Sequence, residues 1–207
     1  MKVGVVDYGF CNINSVLSTC KEISNDTEII SSPEQIREYE RVILPGVGNF
    51  ESASKTLTKL GFFQALTAHI SEEKKLLGIC LGMQLLLGKS EESSSNTQGL
   101  KFIEGEVLDL SNHIIEDVPI PHMGWSEISL KKDRNPIIEG LASGDAFYFA
   151  NSYFCKTGEE NVVAYFEHGK NIFPAIISNN KNIYGVQFHP EKSQAKGIQV
   201  LRNFFTC

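Results

Sequence analysis

The chain has 207 residues, 42% of them hydrophobic, which is enough for one sizeable core and too few to expect two, so a single domain over residues 1–207 is expected. Its 25 acidic against 19 basic residues give a formal charge of -6, and no Lys/Arg run exceeds the pairs Lys74-Lys75 and Lys131-Lys132, which argues against a protein that grips nucleic-acid phosphates. No apolar run approaches the ~20 residues that span a bilayer, and the start MKVGVVDYGF lacks the long apolar stretch and cleavage site of a secreted precursor; neither membrane nor secretion is expected.

In chain order, VGVVD (3–7) predicts a first strand, and INSVLSTCKEI a helix with Ile13, Val16, Leu17, Cys20 and Ile23 at helical offsets. RVILPG is the next strong strand, stopped by Pro45 and Gly46. Residues 49–70 read as helix broken near Gly61, with Phe50, Ala53, Leu57, Phe62, Phe63, Leu66 and Ile70 on the apolar face. LLGI then makes a strand and LGMQLLL a short helix. This β-α-β-α-β-α order predicts an α/β fold, a central mostly parallel sheet with helices on both faces and a ligand site at the carboxyl ends of its strands. After the polar loop SEESSSNTQ (90–98) come short β-rich runs: GEVLDL, WSEISL, DAFYFA, NVVAYFEHG, FPAIIS and NIYGVQF. Turn signals separate them, so they predict added, largely antiparallel strands on the same core. AKGIQVLRNFF closes the chain as a helix.

The five cysteines show neither paired spacing nor a C-x-x-C, which fits no disulfide framework and favours a reducing, cytoplasmic setting. The five histidines show no metal-ligand spacing, so no metal is expected. Chemistry concentrates instead in LLGICLGMQLL (76–86). There Gly78-Ile79-Cys80-Leu81-Gly82 has the form glycine, any residue, nucleophile, any residue, glycine, at a predicted strand-to-helix turn. Such an elbow exposes its central side chain, aligns the next amide (Leu81) with the sulfur and places it at a helix start, where partial positive charge favours an anion. A thiol that ionises near pH 8.5 needs a base, and VQFHPEKS supplies His189 after a strand with Glu191 two positions on to orient it. A Cys80-His189-Glu191 triad is predicted. Acyl transfer also needs a second oxyanion donor. LPGVGNF (44–50) places Gly46 and Gly48 at the end of another parallel strand, in a stretch whose backbone N–H groups are expected to face the substrate.

PGVG, GICLGMQLL and QFHPEKSQ, in this order and spacing, resemble the class I glutamine amidotransferases. DYG, NINSV, PHMGW and HPEKSQAKGIQVLRNF more narrowly resemble the glutaminase subunits of imidazole glycerol phosphate synthases, over residues 4–205. The resemblance implies a flavodoxin-like fold and an enzyme that needs no cofactor. It would hydrolyse L-glutamine through a cysteine thioester and deliver ammonia to a separate (βα)8-barrel synthase subunit as a heterodimer. It further implies an oxyanion hole made of the Leu81 amide with one from Val47 or Gly48, and glutamine binding at Gly46, Gly48, Gln84, Glu92 and Ser152, of which Gln84 has its own rationale as a polar residue one helical turn after the nucleophile. A loop around His122, Met123 and Trp125, with Asn151, is then expected at the synthase interface, where an aromatic can act as an anchor.

The pattern departs in places. Asn151 stands where a histidine is usual before Ser152 and Tyr153, Ser126 stands for a common asparagine, and Lys101 and Glu104 stand for glycine and proline. These keep open a paralogous glutaminase feeding a different barrel partner, such as one aminating a surface-glycan sugar. A regulatory module of the same fold and a stand-alone γ-glutamyl hydrolase are further alternatives; the intact triad disfavours the first, and PHMGW and HPEKSQ disfavour the second.

Overall fold

The computed structural model describes residues 2–93, 97–114, 118–132 and 134–207; of the polar loop 90–98, residues 94–96 lie outside the described residues. The chain runs β1 (Val3–Val6), α1 (Ile13–Ile23), β2 (Thr27–Ile30), β3 (Arg41–Gly46), α2 (Phe50–Lys59), α3 (Phe62–Ser71), β4 (Lys75–Cys80) and α4 (Leu81–Leu85). It continues with β5 (Lys89–Ser90), β6 (Gly105–Asp109), β7 (His122–Leu130), β8 (Ala146–Asn151), β9 (Tyr153–Thr157), β10 (Val162–His168), β11 (Asn171–Ser178), β12 (Ile183–Val186) and α5 (Gln194–Thr206). Gly61, at φ +84°, takes the left-handed conformation that separates α2 from α3, which is the break expected there.

Among the described residues the strands form a nine-stranded sheet in the order β2-β1-β3-β4-β12-β11-β10-β7-β8 and a small sheet β5-β6-β9. The first five strands of the large sheet pair in parallel, and the rest pair antiparallel. The parallel strands are apolar on both faces because helices cover both, and successive residues divide between two cores with period two. Val3, Val5, Ile43, Leu77 and Ile79 meet α1 and α5 through Val16, Cys20, Val200, Leu201 and Phe204. Val6, Val42, Leu44 and Leu76 meet α2, α3 and α4 through Phe50, Leu57, Phe62, Leu66 and Leu81. No helix among the described residues is long and apolar enough to cross a membrane.

The strands β2, β5 and β9 have no counterpart among the expected elements, and two expected elements differ in form. The helix after Cys80 ends at Leu85, two residues early, because the carbonyls of Leu85 and Leu86 take the amides of Leu100 and Phe102 instead of continuing the helical ladder. The segment around His122, expected as a loop, is the start of β7, and its alternating burial points His122 inward and Met123 outward.

Candidate active site

Strand register assembles the site. Gly46 on β3 stands directly beside Cys80 on β4, and Val186 on β12 pairs with Ile79 on the other side. The segments leaving these three strands therefore converge at the carboxyl edge of the parallel half, where an open α/β sheet places its ligands. Gln187, Phe188 and His189 continue directly from β12.

Cys80 sits at φ +53° and ψ -111°, a backbone conformation that costs an L-residue on the order of 1–3 kcal/mol and persists only when the surroundings hold it. Its two glycines hold it by close approach. A Cβ on Gly78 would lie 2.5 Å from the Gly82 carbonyl oxygen, and one on Gly82 would lie 1.8 Å from that of Leu44. The strand thus turns into α4 with the helix backbone pressed against β3 and β4. Gly82→Ala is expected to destabilise the fold by about 3 kcal/mol, read by urea denaturation, since backbone rather than a flexible side chain must yield.

His189 is buried, and its Nδ1 lies 2.8 Å from Glu191 Oε1, leaving Nε2 for Cys80. Burial pulls the imidazole down, but hydrogen bonds to Cys80 and Glu191 and the negative charge of both outweigh it and push His189 up to about 10. The backbone of His189 is also fixed. Its N–H donates to the Tyr148 carbonyl on β8, and its own carbonyl accepts from the Ser193 hydroxyl, which in turn accepts from the Tyr148 N–H. Ser193 carries no signal in the sequence, because its role depends on a strand 45 residues away.

A cavity of about 360 Å³ opens on this pair and is lined by Val47, Gly48, Cys80, Leu81, Gln84, Glu92, Asn151, Ser152 and His189, with Pro121, Met123, Ala150, Tyr153 and Lys192 at its walls. That volume falls in the range of small-ligand sites. Glu191 stands behind His189. Gly46, expected in contact with glutamine, is instead buried beneath the cavity, where a Cβ would strike the Tyr8 hydroxyl at 2.7 Å; it is still within β3 and so lies a residue too deep. The Val47 N–H, expected as an oxyanion donor, is given to the Phe10 carbonyl at 2.6 Å. Gly48 is at φ +99°. Glu92 accepts the first amide of α2, from Phe50, at 2.7 Å, which anchors its carboxylate against a helix N-terminus while it faces the cavity.

The four residues expected at an interface divide. Met123 (66%) and Trp125 (47%) are exposed on one face of β7, and Trp125 meets Tyr148 edge-on at 6.2 Å. His122, however, is buried, stacked on Phe149 and Phe166 at 5.2 Å with its Nε2 2.9 Å from Ser126 Oγ, so it supports the surface from below rather than forming it. Asn151 is also buried. Paired with His122 across β7 and β8, it donates to the Tyr153 carbonyl at 3.0 Å and forms cavity wall rather than outer surface.

Burial, and then the neighbouring His168, lowers His122 from an ordinary 6.5 to about 4. The unfolded imidazole takes up a proton near 6.5 while the folded one refuses it until about 4, so this group costs stability as pH falls through that window and nothing above it. The melting temperature should fall between pH 6.5 and 4, and His122→Gln, which keeps a partner for Ser126, should flatten that fall.

The profile of the family described as glutamine amidotransferase class-I matches residues 5–207. The imidazole glycerol phosphate synthase subunit HisH of Caldanaerobacter subterraneus is 41% identical over 203 residues, 98% of this chain and 96% of the relative. The protein of that name from Chlorobium luteolum is 40% identical over 99% of this chain and all of the relative. A solved glutamine amidotransferase superimposes with a TM-score of 0.76 over all of this chain and 98% of its own at 19% identity, a likeness of fold. Sequence relatives over nearly the whole length and a shared fold agree, and the chain belongs to the class I glutamine amidotransferase family.

Proposed function

We propose that the chain is the glutaminase subunit of an imidazole glycerol phosphate synthase. It hydrolyses L-glutamine to glutamate and ammonia and passes the ammonia to a separate (βα)8-barrel subunit that closes the imidazole ring in histidine biosynthesis, in the cytoplasm. The observation that carries the reading is the strained, buried Cys80 on the wall of a small cavity, with the buried His189-Glu191 pair at hydrogen-bond distance from each other beside it. Each relative described above bears the synthase-subunit name, which favours this reading over the paralogous and stand-alone alternatives.

In this scheme Cys80 Sγ attacks the carboxamide carbon of glutamine, and the oxyanion is met by the Leu81 amide at the start of α4 and by the amide of Gly48, since that of Val47 is engaged. His189 gives its proton to the departing ammonia and then takes one from the water that cleaves the thioester. Glu191 holds the imidazole by Nδ1 so that Nε2 faces the sulfur. Glu92, Gln84 and Ser152 surround the space left for the amino-acid end of the substrate. Val47 and Met123 are exposed apolar residues lining the cavity, Trp125 continues the exposed face of β7 from Met123, and this apolar face is where the barrel subunit docks.

The test is glutamate release by the purified chain with and without a histidine-type barrel cyclase, with the cyclase's own substrate present. A rise of at least about tenfold is expected, in the range of coupling between sites. No rise with any histidine-type cyclase, or fast unassisted turnover of γ-glutamyl peptides, would overturn the assignment.

A further inference from the structure

Gln187 is a fully buried amide between two fully buried apolar residues, Val186 and Phe188. A buried amide is costly unless its donors and acceptor are met, so its partners identify what it serves. Its backbone N–H donates to the Ala175 carbonyl at 2.9 Å, which fixes it to β11. Its side-chain Nε2 lies 3.7 Å from Cys80 Sγ, and its Oε1 lies 3.3 Å from Gln84 Nε2. Gln84 Nε2 lies in turn 3.4 Å from the Tyr153 carbonyl.

The direction of this chain is set at one end. A backbone carbonyl can only accept, so the amide at Tyr153 is the NH2 group of Gln84. Its second N–H goes to Gln187 Oε1, which turns the NH2 group of Gln187 toward the sulfur. The Gln84 carbonyl oxygen is what remains for the cavity that Gln84 lines, and an acceptor there suits the ammonium group of an amino acid.

We propose that Gln187 is a further catalytic residue. Its N–H supports the electron pair on Cys80 Sγ, while its carbonyl oxygen presents Gln84 to the substrate in the accepting orientation. The inference rests on Cys80 being the attacking group. In the attack the sulfur pair becomes the C–S bond, the C–N bond breaks, and the His189 proton leaves on ammonia. In hydrolysis water oxygen bonds to the carbonyl carbon, a water proton passes to His189, the C–S bond breaks and its pair returns to sulfur. Gln187 gains and loses no atom in either step. It meets the sulfur in the two states where the pair resides there, and its bond to the thioester sulfur, a poorer acceptor, is weaker.

The experiment is alkylation of Cys80 by iodoacetamide as a function of pH, followed by peptide mapping, in the wild type and in Gln187→Met, which keeps length and apolar packing but has no donor. Other groups that face Cys80 or share its cavity are His189 with Glu191 behind it, Tyr8, Cys155, Glu92 and Lys192; both proteins retain them, and burial holds Tyr8 and Cys155 protonated over the range. Alkylation at pH 7 is expected to fall about tenfold in Gln187→Met and to converge on the wild-type rate at high pH, where the reacting thiolate forms without the donor. A rise in glutamine KM should accompany the fall in kcat, through Gln84. A purely structural role would alter melting without this pH dependence. If Gln187→Met does not fold, Gln187→Leu is read in the same way. An unchanged alkylation profile in a folded variant overturns the proposal alone, whereas glutamine hydrolysis by Cys80→Ala overturns the reading of the site beneath it.

Discussion

Cys80→Ala should lower glutamine hydrolysis by about 10⁴-fold or more while leaving glutamine binding and the fold in place. The loss is large because every bond-making step passes through Sγ, and among the described residues lining the cavity no other nucleophile stands on such an elbow: Ser152 lies between β8 and β9. Binding should survive, since Gln84, Glu92 and Ser152 are anchored independently of the sulfur, Glu92 through the Phe50 amide and Gln84 through the Tyr153 carbonyl. Steady-state release of glutamate and calorimetric titration with glutamine measure the two separately. A variant that retains more than a few percent of the wild-type rate would remove Cys80 from the mechanism.

Glu191→Gln has the second largest expected effect. The substitution keeps the size of the side chain and an oxygen that can accept from His189 Nδ1, but it removes the negative charge from a pair buried out of water. Charge is what matters there, because burial alone would pull the imidazole below its ordinary value, and the partners Cys80 and Glu191 reverse that to reach about 10. Without the carboxylate the protonated imidazole is held less firmly and gives up its proton at lower pH. The limb of the rate profile that falls as His189 loses its proton should therefore move to lower pH, and kcat should drop by about 10²–10⁴-fold with little change in KM. The Gln amide can also turn its NH2 toward Nδ1 and favour the wrong tautomer, which acts in the same direction. An unshifted profile would show that Glu191 does not set the ionisation of His189.

Much of this site is legible in the sequence because its parts are local. The elbow needs glycines on both sides of Cys80 within five residues, and Glu191 reaches His189 from two positions away, so spacing alone predicts both. The helices α1 to α3 and α5 are legible from apolar periodicity, and the parallel strands from short β-branched runs. What spacing does not show is which strands become neighbours. β12 lies beside β4 although about a hundred residues separate them, and that pairing brings Gln187 to within 3.7 Å of the sulfur. The same kind of distant pairing sets the Phe10 carbonyl on the Val47 amide and the Ser193 hydroxyl on β8.

The short strands β2 and β9 are hard to read for another reason. β2 has only four residues and begins Thr27-Glu28, and β9 follows β8 after the single residue Ser152, so neither stands out as a separate run. Pro121 and Gly124 make PHMGW look like a loop. In the fold, pairing with β8 from His122↔Asn151 onward makes it a strand, which buries the histidine and leaves Met123 and Trp125 outside. The departure from family pattern at Asn151 thus falls on a cavity wall and not on the outer surface, one residue before Ser152.

The covalent step at Cys80 is tested by the intact mass of the chain quenched in acid during turnover of L-glutamine, followed by peptide mapping. A γ-glutamyl adduct is expected on the peptide containing Cys80, lost in Cys80→Ala and chased to free chain and glutamate when glutamine is removed. Glutamate formation at a measurable rate with the adduct absent, or with the adduct on any other residue, would contradict that step.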